Sequence, residues 1–113
     1  MLNSGDVVDL DLGSPAGREA GFLHPAIVVS AQRILDGGPN VIQIVPLTST
    51  VRGFDSEVRV RSEIGNGLDR LAAAQCQHVR AVTPSRVLRV RGNVGPAILA
   101  QIRETLSVIL DIP

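Results

Sequence analysis

Tryptophan, tyrosine and lysine are absent from these 113 residues, and there is a single cysteine. Each absence excludes something. Cys76 has no partner for an intrachain disulfide, and with only His24 and His78 beside it the chain lacks the ligands of a metal cluster, so neither a metal nor another cofactor is expected. No run approaches the ~20 apolar residues that span a bilayer, so no membrane partner is expected. The opening Met-Leu-Asn-Ser-Gly-Asp carries neither a basic start nor an apolar stretch of the export type, which makes the cytoplasm the expected location. Without tyrosine or tryptophan, stacking on a nucleobase would fall to Phe22, Phe54 or the planes of arginines.

What is present reads as one globular domain over residues 1–113, since 44% of the residues are apolar and 19% charged, too apolar a balance for a disordered chain. A domain of this size gains from covering an apolar face or a strand edge. The net charge is zero, but residues 1–50 hold five acids against two arginines and residues 51–113 six acids against nine. Every basic residue is an arginine, whose planar fork can grip phosphates or carboxylates with two bonds at once.

The pattern is mainly β. Gly5 to Leu12 alternates, with Val8, Leu10 and Leu12 on one face and Val7, Asp9 and Asp11 on the other, as in a half-buried strand. Gly13-Ser-Pro-Ala-Gly17 breaks it, and 13–24 reads as a mobile loop. Pro25 leads into the continuous run Ala-Ile-Val-Val of a central strand, Asp36-Gly-Gly-Pro-Asn40 turns the chain, and Val41 to Leu47 returns as a second buried strand. Ser56 to Arg61 makes a third, with Val58 and Val60 inward. Leu71-Ala-Ala-Ala74 favours helix by propensity, whereas Cys76 to Val82 is equally acceptable as strand. Thr83-Pro84 fits the opening of a single helical turn over 84–88. Val87 to Val94 alternates, with Leu88, Val90 and Val94 opposite Arg89, Arg91 and Asn93. After Gly95-Pro96 the period changes, and Ile98, Leu99, Ile102, Leu106, Ile109 and Leu110 form one helical stripe.

The two central strands carry their chemistry at one end. His24 and Pro25 open the first; Thr48 and Ser49 close the second. Antiparallel pairing through the turn at 36–40 sets the start of one beside the end of the other, so an imidazole and two hydroxyls are expected to share a rigid floor.

The succession Gly5-Asp-Val-Val-Asp-Leu-Asp-Leu12, Gly17-Arg-Glu19, His24-Pro-Ala-Ile-Val-Val-Ser30, Val45-Pro-Leu-Thr-Ser49, Gly67-Leu68, Gln77-His-Val-Arg80 and a terminal amphipathic helix resembles the MazF/PemK toxin family over nearly the whole chain. The resemblance implies an SH3-like small barrel with a C-terminal helix, a homodimer, and a cognate antitoxin with an acidic C-terminal segment. It further implies a sequence-selective, metal-independent endoribonuclease that cleaves single-stranded RNA when a 2′-hydroxyl attacks the adjacent phosphodiester. On this resemblance the family's catalytic threonine falls on Thr48, an acidic loop residue on Glu19, and the catalytic arginine that precedes proline on His24. The last is a departure. A guanidinium rarely releases a proton, whereas an imidazole exchanges one near neutral pH. His24 is therefore expected to transfer the proton, Thr48 to hydrogen-bond the phosphate, and Glu19 to orient His24. Arg18, Phe22, Ser49, Arg52, Gln77 and Arg80 are the expected RNA-binding residues, while Arg86, Arg89 and Arg91 read as a solvated face or as the basic surface meeting the antitoxin. The alternatives are a non-enzymatic gyrase-binding toxin of the same fold, like CcdB, and a catalytically weakened RNA-binding relative. The former is disfavoured because the tail Leu110-Asp-Ile-Pro113 has no aromatic anchor.

Overall fold

The structure, a computed structural model, describes residues 1–13 and 23–113. Most of the loop expected over 13–24, with Arg18, Glu19 and Phe22, lies outside the described residues. Seven strands and two helices are described: β1 (Asp6–Leu10), β2 (His24–Val28), α1 (Gln32–Asp36), β3 (Ile42–Thr48), β4 (Glu57–Val60), β5 (Ala72–Gln75), β6 (Arg80–Val82), β7 (Val87–Asn93) and α2 (Gly95–Ile109). Single 3-10 turns at Ile64–Asn66, Cys76–His78 and Pro84–Arg86 join them. The ambiguous stretch after Gly67 resolves as strand from Ala72, interrupted by the turn at Cys76–His78.

All pairs are antiparallel, in the order β4-β5-β3-β2-β1-β7, with β6 also on β3. Seven residues long, β3 holds β6 along its first half and β5 at its end, both on one edge. The sheet curves without closing: among the described residues no ladder joins β4 to β7. The mainly β architecture with a C-terminal helix is the one expected; among the described residues the sheet stays open, and its gap is filled by packing. Gly92 of β7 lies against the Gly65 carbonyl and the Asn66 backbone, and Arg91 donates from Nη2 to the Gly67 carbonyl at 2.8 Å. Only residues without a Cβ permit such an approach.

Alternation sends the strand side chains into two cores. Val7, Ile27, Val45, Leu47, Val58 and Val60 meet Ile102 of α2 on one side of the sheet. Val8, Leu10, Val28, Ile42 and Ile44 gather on the other, with Leu35 of α1. β1 is therefore buried on both faces and not on one, as the sequence suggested: Val7 and Asp9 are as covered as Val8 and Leu10. A carboxylate can sit there only if it is paired. Asp9 accepts from Arg89 Nε at 3.0 Å and Nη2 at 2.8 Å, with Arg91 Nη1 3.5 Å away.

β7 departs from its expected orientation. Leu88 and Val90 are exposed, while Arg91 is largely covered. Two register shifts against β1, between Val7 and Val8 and between Asp9 and Leu10, rotate β7 out of simple alternation. α2 follows its predicted stripe at Leu99 and Ile102, which are buried, and leaves Ile109 and Leu110 exposed at its end. Its start is held by Asn93, whose Oδ1 accepts from the Gly95 N–H at 2.8 Å.

Candidate active site

β2 and β3 pair in one constant register, from the Val29 N–H on the Gln43 carbonyl at 3.0 Å through Val28↔Ile44 and Ile27↔Val45 to Ala26↔Pro46. The ladder itself ends at Ala26↔Pro46; the same register carried on by two residues would set His24 opposite Thr48. Side chains directly opposite in an antiparallel pair share a face, with Cβ atoms ~5 Å apart. On its other edge His24 pairs with Leu10, whose side chain is buried on the same face as Ala26, Val28 and Ile44. Both candidate residues are half-buried.

Thr48 has a further constraint. Its Oγ1 accepts from the Thr50 N–H at 3.1 Å, which leaves the hydroxyl proton to be donated elsewhere. Ser49 is exposed immediately after the strand. Arg52 stands exposed in the following loop, whose shape is set by Glu57: Oε1 accepts from the backbone N–H of Arg52 at 3.1 Å and of Gly53 at 2.9 Å.

Arg80 belongs to the same face as His24 and Thr48, because it pairs with Ile44. It is not beside them. Four residues of β3 separate the two rows, ~13 Å at the rise of a strand. Arg80 instead shares a hollow of about 230 Å³ with Leu12, Val82 and Arg86, whose Nη1 donates to the Asp11 carbonyl at 3.2 Å. Gln77 is exposed on the turn between β5 and β6.

Sequence reasoning missed two features. Arg89 and Arg91 are braces for buried Asp9, and neither is simply part of a solvated face. The signal was Asp9 itself, an acid in a strand now seen to be central. Residues Asp69 and Arg70, after the Gly67-Leu68 pair, line a cavity of about 140 Å³ with Thr48 and Ser49. A hollow of about 500 Å³ between β4 and α2 is lined by neither His24 nor Thr48. Among the described residues no three His, Cys, Asp or Glu side chains come together as metal ligands.

Comparison with known proteins agrees with this architecture. Residues 3–110 match the family described as PemK-like, MazF-like toxin of type II toxin-antitoxin system. Endoribonuclease MazF9 of Mycobacterium tuberculosis is 34% identical over 116 residues, covering 99% of this chain and 98% of that protein. Among solved structures, an endoribonuclease in complex with its cognate antitoxin from a mycobacterial species superposes with a TM-score of 0.79 at 20% identity, covering 100% of this chain and 98% of the other. A MazE-MazF complex from Deinococcus radiodurans gives 0.77 at 22% identity, covering 99% and 97%. At those identities the structures speak for the fold. With the family matched from Asn3 to Leu110 and the antiparallel sheet and terminal helix in place, the chain belongs to the PemK-like, MazF-like toxins of type II toxin-antitoxin systems.

Proposed function

We propose that this toxin is a sequence-selective endoribonuclease acting on single-stranded RNA, with His24 and Thr48 at its reacting centre. The observation that carries the reading is the end-to-end likeness to a protein named as an endoribonuclease, at 34% identity over 99% of this chain. The β2–β3 register supports the assignment of the pair.

In the proposed reaction His24 takes the proton of a 2′-hydroxyl as that oxygen attacks phosphorus. The bond from phosphorus to the 5′-oxygen breaks, the 5′-oxygen takes a proton from water to leave as a hydroxyl, and the imidazolium of His24 returns its proton to the resulting hydroxide. A 2′,3′-cyclic phosphate or its opened product remains on the other fragment. Thr48 donates its hydroxyl proton to a phosphate oxygen, where negative charge gathers in the transition state. Glu19 orients the imidazole, and Arg18, Phe22, Ser49, Arg52, Gln77 and Arg80 hold the strand. No metal enters this scheme, and cleavage is expected to persist in chelator.

Two partners belong to the proposal: a second copy of the chain, and a cognate antitoxin with an acidic C-terminal segment, as relatives have been solved in complex with theirs. The compartment proposed is the cytoplasm, and no described helix is long and apolar enough to cross a membrane. Incubation of the purified protein with a long single-stranded RNA in chelator tests the reading. Discrete fragments with 5′-hydroxyl ends, lost in both His24→Ala and Thr48→Ala, are expected. Intact RNA that nevertheless binds would mark a weakened relative, and cleavage unaffected by either substitution would remove this pair from the mechanism.

A further inference from the structure

The cavity of about 140 Å³ beside Thr48 has a division of labour in its walls. Pro25, Leu47 and Leu68 form an apolar floor, suited to the face of a ring. At the lip stands Asp69, its side chain 88% exposed, with Oδ2 3.7 Å from Arg91 Nη2. Arg91 is itself fixed: it donates to the Gly67 carbonyl at 2.8 Å and reaches Asp9 at 3.5 Å. The carboxylate is near the covered guanidinium but too far for a hydrogen bond, and it stays open to solvent, so its oxygens are accessible to a ligand.

A carboxylate next to a phosphate site is unfavourable for the backbone of RNA, because like charges repel. It is favourable for a base that offers N–H groups. We infer that this cavity is the subsite for the base flanking the cleaved linkage, and that Asp69 selects guanine there; the inference rests on the cleavage site proposed at Thr48. Guanine alone presents two adjacent donors, N1–H and an N2 amino hydrogen, matching the two oxygens of one carboxylate. Adenine and cytosine set a single amino group beside an acceptor, and uracil flanks its one N–H with two carbonyls that the carboxylate repels. Arg70, on the same rim, has the planar guanidinium that can cover the outer face of the ring.

The test uses the full chain and a set of short single-stranded RNAs that differ only in the base on either side of the cleaved linkage. Cleavage rates are measured on these, and binding on the same oligonucleotides carrying a 2′-methoxy group at the reacting position. The wild type should favour guanine on one side by about 5- to 150-fold, the range of a good two-bond contact. Asp69→Ala should flatten the ranking, and Asp69→Asn should move it toward adenine, whose edge pairs with an amide. Guanine preference in binding that depends on Asp69, without cleavage, would keep the subsite and sink the ribonuclease reading. Cleavage whose base ranking is the same in wild type and Asp69→Ala would overturn the subsite and leave the ribonuclease intact. Failure to bind any of the RNAs would overturn both.

Discussion

At the scale of single residues the proposal turns on His24, which the resemblance sets where the family has an arginine before proline. Under the proposed mechanism this residue moves a proton, so His24→Ala should lower the cleavage rate about 10²- to 10⁴-fold, the range of general acid–base catalysis, in a single-turnover assay. Cys76 is a second residue whose surroundings decide its behaviour. Burial pushes its thiol from the ordinary 9.0 up to about 11. The thiol should therefore resist alkylation in the native protein at pH 8 and react on unfolding. Its stabilising contribution is complete below about pH 9 and is lost as the pH rises through about 11, since only the unfolded chain gives up the proton readily over that range. Urea unfolding at pH 8 and 10.5 should show this loss in the wild type and a smaller one in Cys76→Ala. Thr48 and Ser49 were legible in the sequence because a strand of known alternation must place its last residues at a known end. Arg91 was not legible: its partner Asp9 is 82 positions away, and nothing local tells a braced arginine from a solvated one.

Elements show the same boundary between what is local and what is not. β2 and β3 follow from continuous apolar runs, β4 from the alternation of Glu57, Val58, Arg59 and Val60, and α2 from a helical stripe, patterns that survive any arrangement of neighbours. α1 went unseen, because Gln32–Asp36 is one short turn of helix with a single buried residue, Leu35, too little to show a period. β1 looked half-buried because Asp9 and Asp11 mark a polar face in isolation; the covering side chains come from β7. β7 itself was given the wrong faces, since a bulge shifts alternation without leaving a mark in composition. Two predictions belong here. Gly92→Ala should destabilise the protein by roughly 2–3 kcal/mol, because a Cβ there would overlap the Gly65 carbonyl and the Asn66 backbone, which cannot move as a flexible side chain would. Asp9→Ala should be comparably damaging, about 2–4 kcal/mol, since it leaves the covered Arg91 without its buried partner. Urea unfolding of each variant measures both, and a loss under about 0.5 kcal/mol would place either residue outside the role given to it.

Taken whole, the molecule is an open, strongly curved sheet with a core on each face, one covered by α2 and the other by α1. Carried on by two residues, the β2–β3 register would set His24 and Thr48 in one row on the face of the second core, and the proposed ribonuclease rests on that row. A class of fold was readable because patterns of period two and 3.6 reflect which side of the chain meets water. The closure of the sheet was not, since it depends on how the Ile64–Asn66 turn meets β7 across the gap. At this scale the homodimer is also tested, by sedimentation at micromolar concentration, where a mass near twice that of the chain is expected. The most direct measurement of the central claim is the rate of cleavage of one short RNA between pH 5 and 8 by the wild type and by His24→Arg. If the imidazole moves the proton, the wild-type rate depends clearly on pH, and the dependence flattens when arginine replaces it. A wild-type rate that stays level across that range would contradict it.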